Sequence, residues 1–162
     1  MFARAATAAD AAPPLLVLHG GPGVSSRYIT RINETLCDDM RLVLYDQLGS
    51  GESDWPDDPS LWQVQRFVDE VETVRTTLGL GDVSLYGQSW GGMLALAYTL
   101  QHPANVQALV LSNTYANGRA YLLDISDHRV SLGHDMHAAM LRHVTLVESS
   151  VEGLLARDVG ER

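Results

Sequence analysis

The residues best placed to do chemistry lie in Val83–Gly92, which reads Val-Ser-Leu-Tyr-Gly-Gln-Ser-Trp-Gly-Gly. A serine with a glycine two positions away on either side (Gly87, Ser89, Gly91) follows the β-prone run Val83–Tyr86 and precedes the apolar helical run Met93–Leu100. A strand–turn–helix junction is the setting in which a Gly-x-Ser-x-Gly motif makes a nucleophile. So sharp a turn strains the serine backbone and leaves no room for a Cβ at its flanks. The Ser89 hydroxyl is lifted to the top of a sheet, and the N–H of Trp90 begins a helix whose positive end favours an oxyanion. The blander reading is a bystander serine in a Gly-rich turn; the strand and helix on either side argue against it. Ser89 is the expected nucleophile, with Gly87, Gln88 and Gly91 as its supporting motif.

Two further loops carry polar residues at the ends of apolar runs. His19-Gly20-Gly21-Pro22-Gly23 follows Leu15–Leu18, and Asp46-Gln47-Leu48-Gly49-Ser50-Gly51-Glu52-Ser53 follows Arg41–Tyr45. His19 ends a strand and precedes a glycine turn, which favours bracing of the loop through hydrogen bonds over proton transfer. The glycine loop is a poor phosphate cradle, because Pro22 removes an N–H donor and no P-loop lysine follows. Asp46 reads as an organiser of its loop rather than a reactant. His134-Asp135-x-His137, with His143 beyond, has irregular spacing for a metal site and reads as solvated surface. No metal and no cofactor are expected.

These loops need elements to hold them. Leu15–Leu18 is apolar throughout, as a strand buried on both faces must be. A helix is predicted from about Ser25 to Cys37, then a strand at Arg41–Tyr45 and a surface loop at Asp54–Pro59. The next helix, about Ser60–Leu78, puts Val64, Phe67, Val68, Val71, Val74 and Leu78 on one face with Asp69, Glu70 and Arg75 opposite. After the strand Val83–Tyr86, a helix at Met93–His102 is stopped by Pro103, and Val106–Leu111 is the fourth strand. The order β-α-β-α-β-α-β predicts a parallel α/β sheet with right-handed crossovers. Tyr115–Arg162 shows only helical runs, at about Ala120–Val130 and Asp135–Val147, and a charged tail.

The 162 residues suffice for one domain, burying roughly 70% of its unfolded surface. A net charge of −9 repels phosphate backbones, so nucleic acid is not an expected partner. The single cysteine, Cys37, forms no intrachain disulfide and suits a reducing compartment. Neither a signal-peptide core nor a membrane-spanning stretch is apparent, so the expected location is cytoplasmic.

Taken together, His19-Gly-Gly-Pro-Gly23, Asp46-Gln-x-Gly-x-Gly-x-Ser53 and Gly87-Gln-Ser-Trp-Gly-Gly92 resemble, in order and spacing, the proline iminopeptidase (prolyl aminopeptidase) branch of the α/β-hydrolases. Related amino-acid amidases and esterases share the last motif. The resemblance spans about Leu15 to Asn113, and from Tyr115 it looks more loosely like the start of a helical cap. It implies that the Leu15–Leu18 strand lies between Arg41–Tyr45 and Val83–Tyr86, so that the sheet switches direction beside Ser89. It further implies that the N–H groups of Gly21 and Trp90 form an oxyanion hole. The implied substrate is a small peptide, amino-acid amide or ester, whose N-terminal residue is released through an acyl-enzyme on Ser89. Dehalogenase and epoxide-hydrolase relatives are disfavoured, since they use Asp where Ser89 stands.

In that family the triad's Asp and His follow later strands, beyond the cap. The sequence thus reads as an N-terminal half: an irregular stretch over 1–14 in place of the family's opening hairpin, a partial core over 15–114, and a cap start with tail over 115–162. His102 lies about 20 Å from Ser89 at the helical rise, and His128, His134, His137 and His143 match no family position. Glu148 and Glu152 likewise remain unassigned. The chain alone is expected to be nearly inactive. Arg41–Tyr45 and Val106–Leu111 would be apolar sheet edges, inviting self-association or a complementary chain. The alternative reading is a non-catalytic fragment or pseudo-enzyme that binds a small ligand or a partner chain.

Overall fold

The computed structural model describes residues 2–6, 13–32 and 40–115. Apolar runs at Leu15–Leu18 (β2), Leu42–Asp46 (β3), Val83–Gln88 (β4) and Val106–Ser112 (β5) form four parallel strands. A further strand, Phe2–Ala6 (β1), pairs antiparallel with β3, giving a five-stranded sheet in the order β1-β3-β2-β4-β5. Two α-helices, Val64–Thr77 (α1) and Trp90–Gln101 (α2), make the crossovers on either side of β4 and pack against each other.

The parallel α/β sheet is therefore as expected, with one correction, at the β3 side of the sheet. The stretch over 1–14 is not irregular throughout, because Phe2–Ala6 registers against Asp46–Leu42 of β3. Alanine-rich sequence has low strand propensity, but an open row of β3 backbone groups supplies the partners that propensity lacks. For the same reason β3 is not a sheet edge. At the other side β5 is outermost among the described residues, and Val110 and Leu111 are 48% and 42% exposed.

The predicted helix from Ser25 begins instead as a short 3₁₀ turn, Ser26–Ile29, with Ser25 as its cap. Residues 33–39, including Cys37, lie outside the described residues, as do the predicted helices at 120–130 and 135–147. The helix expected from Ser60 starts at Val64; Pro59–Leu61 forms a separate 3₁₀ turn.

Burial follows strand alternation. Val43 and Tyr45 of β3 join Leu16 and Leu18 of β2 and the apolar face of α1 in the main core, while Leu42, Leu44, Leu15 and Val17 form a second core on the other face. Val64, Phe67, Val68, Val71 and Val74 are all buried, as their helical spacing requires. Glu70 departs from the expected solvated face. Its side chain is only 10% exposed, pairs with Arg66, and accepts the Leu48 N–H at 3.1 Å. Burial pushes the Glu70 carboxyl upward, and Arg66 opposes that shift.

Where α1 meets α2, Arg75 holds Glu72 in a two-pronged pair at 2.7 and 2.8 Å, and the Tyr98 hydroxyl donates to Glu72 at 2.5 Å. The Arg75 hydrogen bonds, helped by Tyr98, bring the Glu72 carboxyl down to about 2. A carboxyl with a depressed native pKa stabilises the fold fully above its unfolded value and loses that contribution as pH falls through the native one. Glu72→Gln should accordingly be less stable than wild type above about pH 5, with the gap closing as pH falls from the usual value of 4.5 towards about 2. Urea unfolding midpoints across that range measure the effect; a gap independent of pH would contradict it.

Candidate active site

The turn after β4 carries Ser89 at φ 53° and ψ −119°, a left-handed conformation that is costly for a residue with a side chain. Its surroundings hold it there. The Ser89 N–H donates to the Ser112 carbonyl at 3.0 Å, and its own carbonyl accepts from Gly92 N–H at 2.9 Å and from the Thr114 hydroxyl at 2.7 Å. A Cβ on Gly87 would lie 2.4 Å from the Gly91 carbonyl oxygen, and one on Gly91 would lie 2.0 Å from that of Leu18. Both glycines are thus steric requirements of the turn. Gly92 is a third, since its Cβ would strike the Thr114 side chain at 2.4 Å.

Trp90, the first residue of α2, is buried. Its indole N–H donates to Gln47 Oε1 at 2.8 Å, and its ring meets Phe67 edge-on with centroids 5.6 Å apart. Gln47 is the residue that the sequence reading passed over within its motif. It is 2% exposed, donates through Nε2 to the His19 carbonyl at 2.9 Å, and offers its backbone N–H to His19 Nε2 at 3.0 Å. One glutamine therefore ties together the ends of β2 and β3 and the start of α2.

His19 is fully buried. Because the Gln47 N–H must donate to Nε2, the ring proton sits on Nδ1, where it reaches the Gly20 carbonyl at 2.8 Å. Burial holds the His19 pKa below its ordinary value, partly offset by the Gly20 carbonyl and the charge of Asp46. Both ring nitrogens are engaged in bracing the loops. Asp46 is also buried: Oδ1 accepts from Ser26 N–H at 2.7 Å and Oδ2 from Glu52 N–H at 2.9 Å. Burial would raise its carboxyl, but these N–H groups outweigh it and hold the pKa below the usual range. Gly51 has no side chain because a Cβ would fall 2.0 Å from Asp46 Oδ2.

The glycine loop after β2 sits beside the turn. Gly21 (φ 128°) and Gly23 (φ 87°) occupy backbone conformations that favour glycine. The Gly20 N–H is taken by the Tyr28 hydroxyl at 2.6 Å, which in turn donates to Gln88 Oε1 at 2.6 Å. Tyr28 and Thr114 have no sequence signature of their own; only the fold brings them here. Among the described histidines, His102 stacks on Tyr98 (centroids 4.7 Å apart) at the far end of α2. His128, His134, His137 and His143, with Glu148 and Glu152, lie outside the described residues. No group of three or more potential metal ligands occurs among the described residues. No described helix is long and apolar enough to cross a membrane.

A half-buried serine turn, a glycine loop beside it and a parallel sheet switching direction between β2 and β4 define a class, and the comparisons agree. The chain belongs to the α/β hydrolase fold family, which it matches over residues 13–150. Among individual relatives, it is 44% identical over 121 residues to a proline iminopeptidase of Lactobacillus helveticus, covering 73% of this chain and 40% of that protein. A proline iminopeptidase of Heyndrickxia coagulans is 46% identical over 100 residues, covering 62% of this chain and 34% of its own length. The crystal structure of a Mycobacterium smegmatis proline iminopeptidase superposes with a TM-score of 0.72 at 36% identity, over 87% of this chain and 49% of that one. The chain thus spans about 40% of the length of the L. helveticus relative.

The assignment of the His19 proton is directly measurable. Nitrogen-15 spectra of the imidazole should show the neutral Nδ1–H form persisting to lower pH than in an exposed histidine, because burial disfavours the charged ring. Gln47→Leu, which strands the Trp90 indole and the His19 carbonyl, should cost about 2–5 kcal/mol in urea unfolding, as loss of buried hydrogen bonds does. An imidazole that titrates near 6.5, or a Gln47→Leu variant of unchanged stability, would contradict the bracing role.

Proposed function

We propose that the chain is the nucleophile-bearing part of a serine hydrolase that releases N-terminal, proline-like residues from peptides, amides or esters. The observation that carries this is the left-handed backbone of Ser89 at a glycine-walled turn between β4 and α2. That conformation costs energy, and its known use is to present a hydroxyl. The proline iminopeptidase relatives supply the substrate class.

In this reading, Ser89 Oγ attacks the carbonyl carbon of the N-terminal residue while a base takes its proton. The N–H groups of Gly21 and Trp90 receive the oxyanion, each contributing about 3 kcal/mol to the transition state. Collapse expels the protonated amine or alcohol, and water then frees the amino acid from Ser89. Neither His19, engaged through both ring nitrogens, nor His102, at the far end of α2, is placed to be the base. The base and its orienting acid are to be found outside the described residues. If both are lacking from this polypeptide, its turnover falls by on the order of a millionfold.

The purified chain should therefore hydrolyse prolyl anilides no faster than its Ser89→Ala variant. Turnover near the ordinary enzymatic value of about 10 s⁻¹, abolished by replacing one of the later histidines, would show a complete triad within the chain.

One observation favours an additional association role. The exposed Val110 and Leu111 of β5 lie on the outermost strand among the described residues. An apolar edge of this kind invites strand pairing with another polypeptide. Light scattering should find the isolated chain in dimers or larger species, and substitution of Val110 by lysine should shift it towards monomer. A monodisperse wild-type monomer would rule the association out.

A further inference from the structure

Tyr28 is 48% exposed, yet its hydroxyl sits between two partners at 2.6 Å each. The Gly20 N–H can only donate, so the hydroxyl oxygen accepts there and its own proton is left for Gln88 Oε1. Gly20 belongs to the glycine loop after β2; Gln88 immediately precedes Ser89. The bridge also accounts for the residue type at position 20. A Cβ there would lie 2.4 Å from Gln88 Oε1 and 2.9 Å from the Tyr28 hydroxyl.

The phenol is delivered by an anchored turn. Asp46 accepts the Ser26 N–H at 2.7 Å, and Ile29 is buried beside the second core. Tyr28, between them, projects from a short 3₁₀ segment fixed on both sides. Burial raises its pKa, despite the opposing Gly20 N–H, which keeps the hydroxyl protonated and able to donate.

We propose that Tyr28 is a positioning residue for acyl transfer at Ser89: its hydroxyl latches the glycine loop to the end of β4, setting the distance between Gly21 and the nucleophile. This rests on the reading of Ser89 as nucleophile and Gly21 as oxyanion donor. A fixed donor is worth far more to a transition state than one that must be oriented during the reaction, and tolerances are of the order of 0.5 Å. Gly21 and Gly23 leave the loop little intrinsic stiffness. The latch supplies it from a side chain that need not touch the substrate.

The test uses the whole chain, a dialkyl fluorophosphonate probe and the Tyr28→Phe variant. Labelling forms a Ser89 Oγ–P bond and breaks P–F; fluoride leaves and the serine proton passes to buffer. Tyr28→Phe should label about tenfold more slowly, the loss expected of one hydrogen bond, with an unchanged melting temperature. Gln88→Met, which cuts the latch from the strand side, should slow labelling similarly. Amide exchange at Gly20 and Gly21 should rise by about tenfold in Tyr28→Phe, while Leu16 and Val17 of β2 exchange as in wild type. Labelling above the Ser89→Ala background that is equally fast in wild type and Tyr28→Phe would overturn the proposal. If the wild-type chain labels no faster than Ser89→Ala, the serine lacks its base, as the proposed function expects; exchange then decides the latch alone, with unchanged Gly20 and Gly21 rates overturning it.

Discussion

The architecture around Ser89 depends on how closely α2 can approach the end of β2. Gly91 lies so near the Leu18 carbonyl that a single added carbon would overlap it. With Gly87 pressed against the first turn of the same helix, the chain has room to leave β4, reverse at one residue and enter α2. Close packing in protein interiors transmits such constraints rigidly, because few voids exist to absorb a displaced atom. The left-handed Ser89 backbone is the product of that squeeze. Its energetic cost is offset by the hydrogen bonds its amide and carbonyl make with Ser112, Gly92 and Thr114.

Polar groups at the strand ends extend the same rigidity. Gln47, His19, Asp46, Ser50 and Ser53 are all buried, an unusual concentration beside an apolar sheet. The hydrogen bonds recorded for them leave the group well satisfied: Ser50 and Ser53 return bonds to the Gln47 and Asp46 carbonyls, and Glu70 reaches up from α1 to the Leu48 N–H. A satisfied network of this kind specifies one arrangement, whereas a partly satisfied one would be worse than plain hydrocarbon. The loops after β2 and β3 are thus parts of one polar unit, seated against the indole of Trp90.

Much of this was legible in the chain itself. The glycines around Ser89 and the apolar spacing of Val64, Phe67, Val71 and Val74 announce local geometry, because sterics and helical period act over a few residues. What escaped reading acts over longer distances. Phe2–Ala6 becomes a strand only because β3 offers it backbone partners, a fact invisible in five residues of weak propensity. Glu70 looked like a solvent-facing carboxylate from its helical position, yet the loop folded over it gives it a buried role. Gln47 stood within a recognised motif, but its importance comes from partners at positions 19 and 90. Tyr28 had no signal at all, since its partners lie 8 and 60 residues away.

The placement of the indoles has a practical outcome. Trp55 and Trp62 are 64% and 39% exposed, whereas Trp90 is 5% exposed and bonded through its ring nitrogen to Gln47. Any separation of the serine corner from the loop after β3 must break that bond and wet the ring. The molecule therefore carries a built-in optical gauge of its own reactive corner: the bluest component of tryptophan emission reports on it, while quenchers in solution silence the other two.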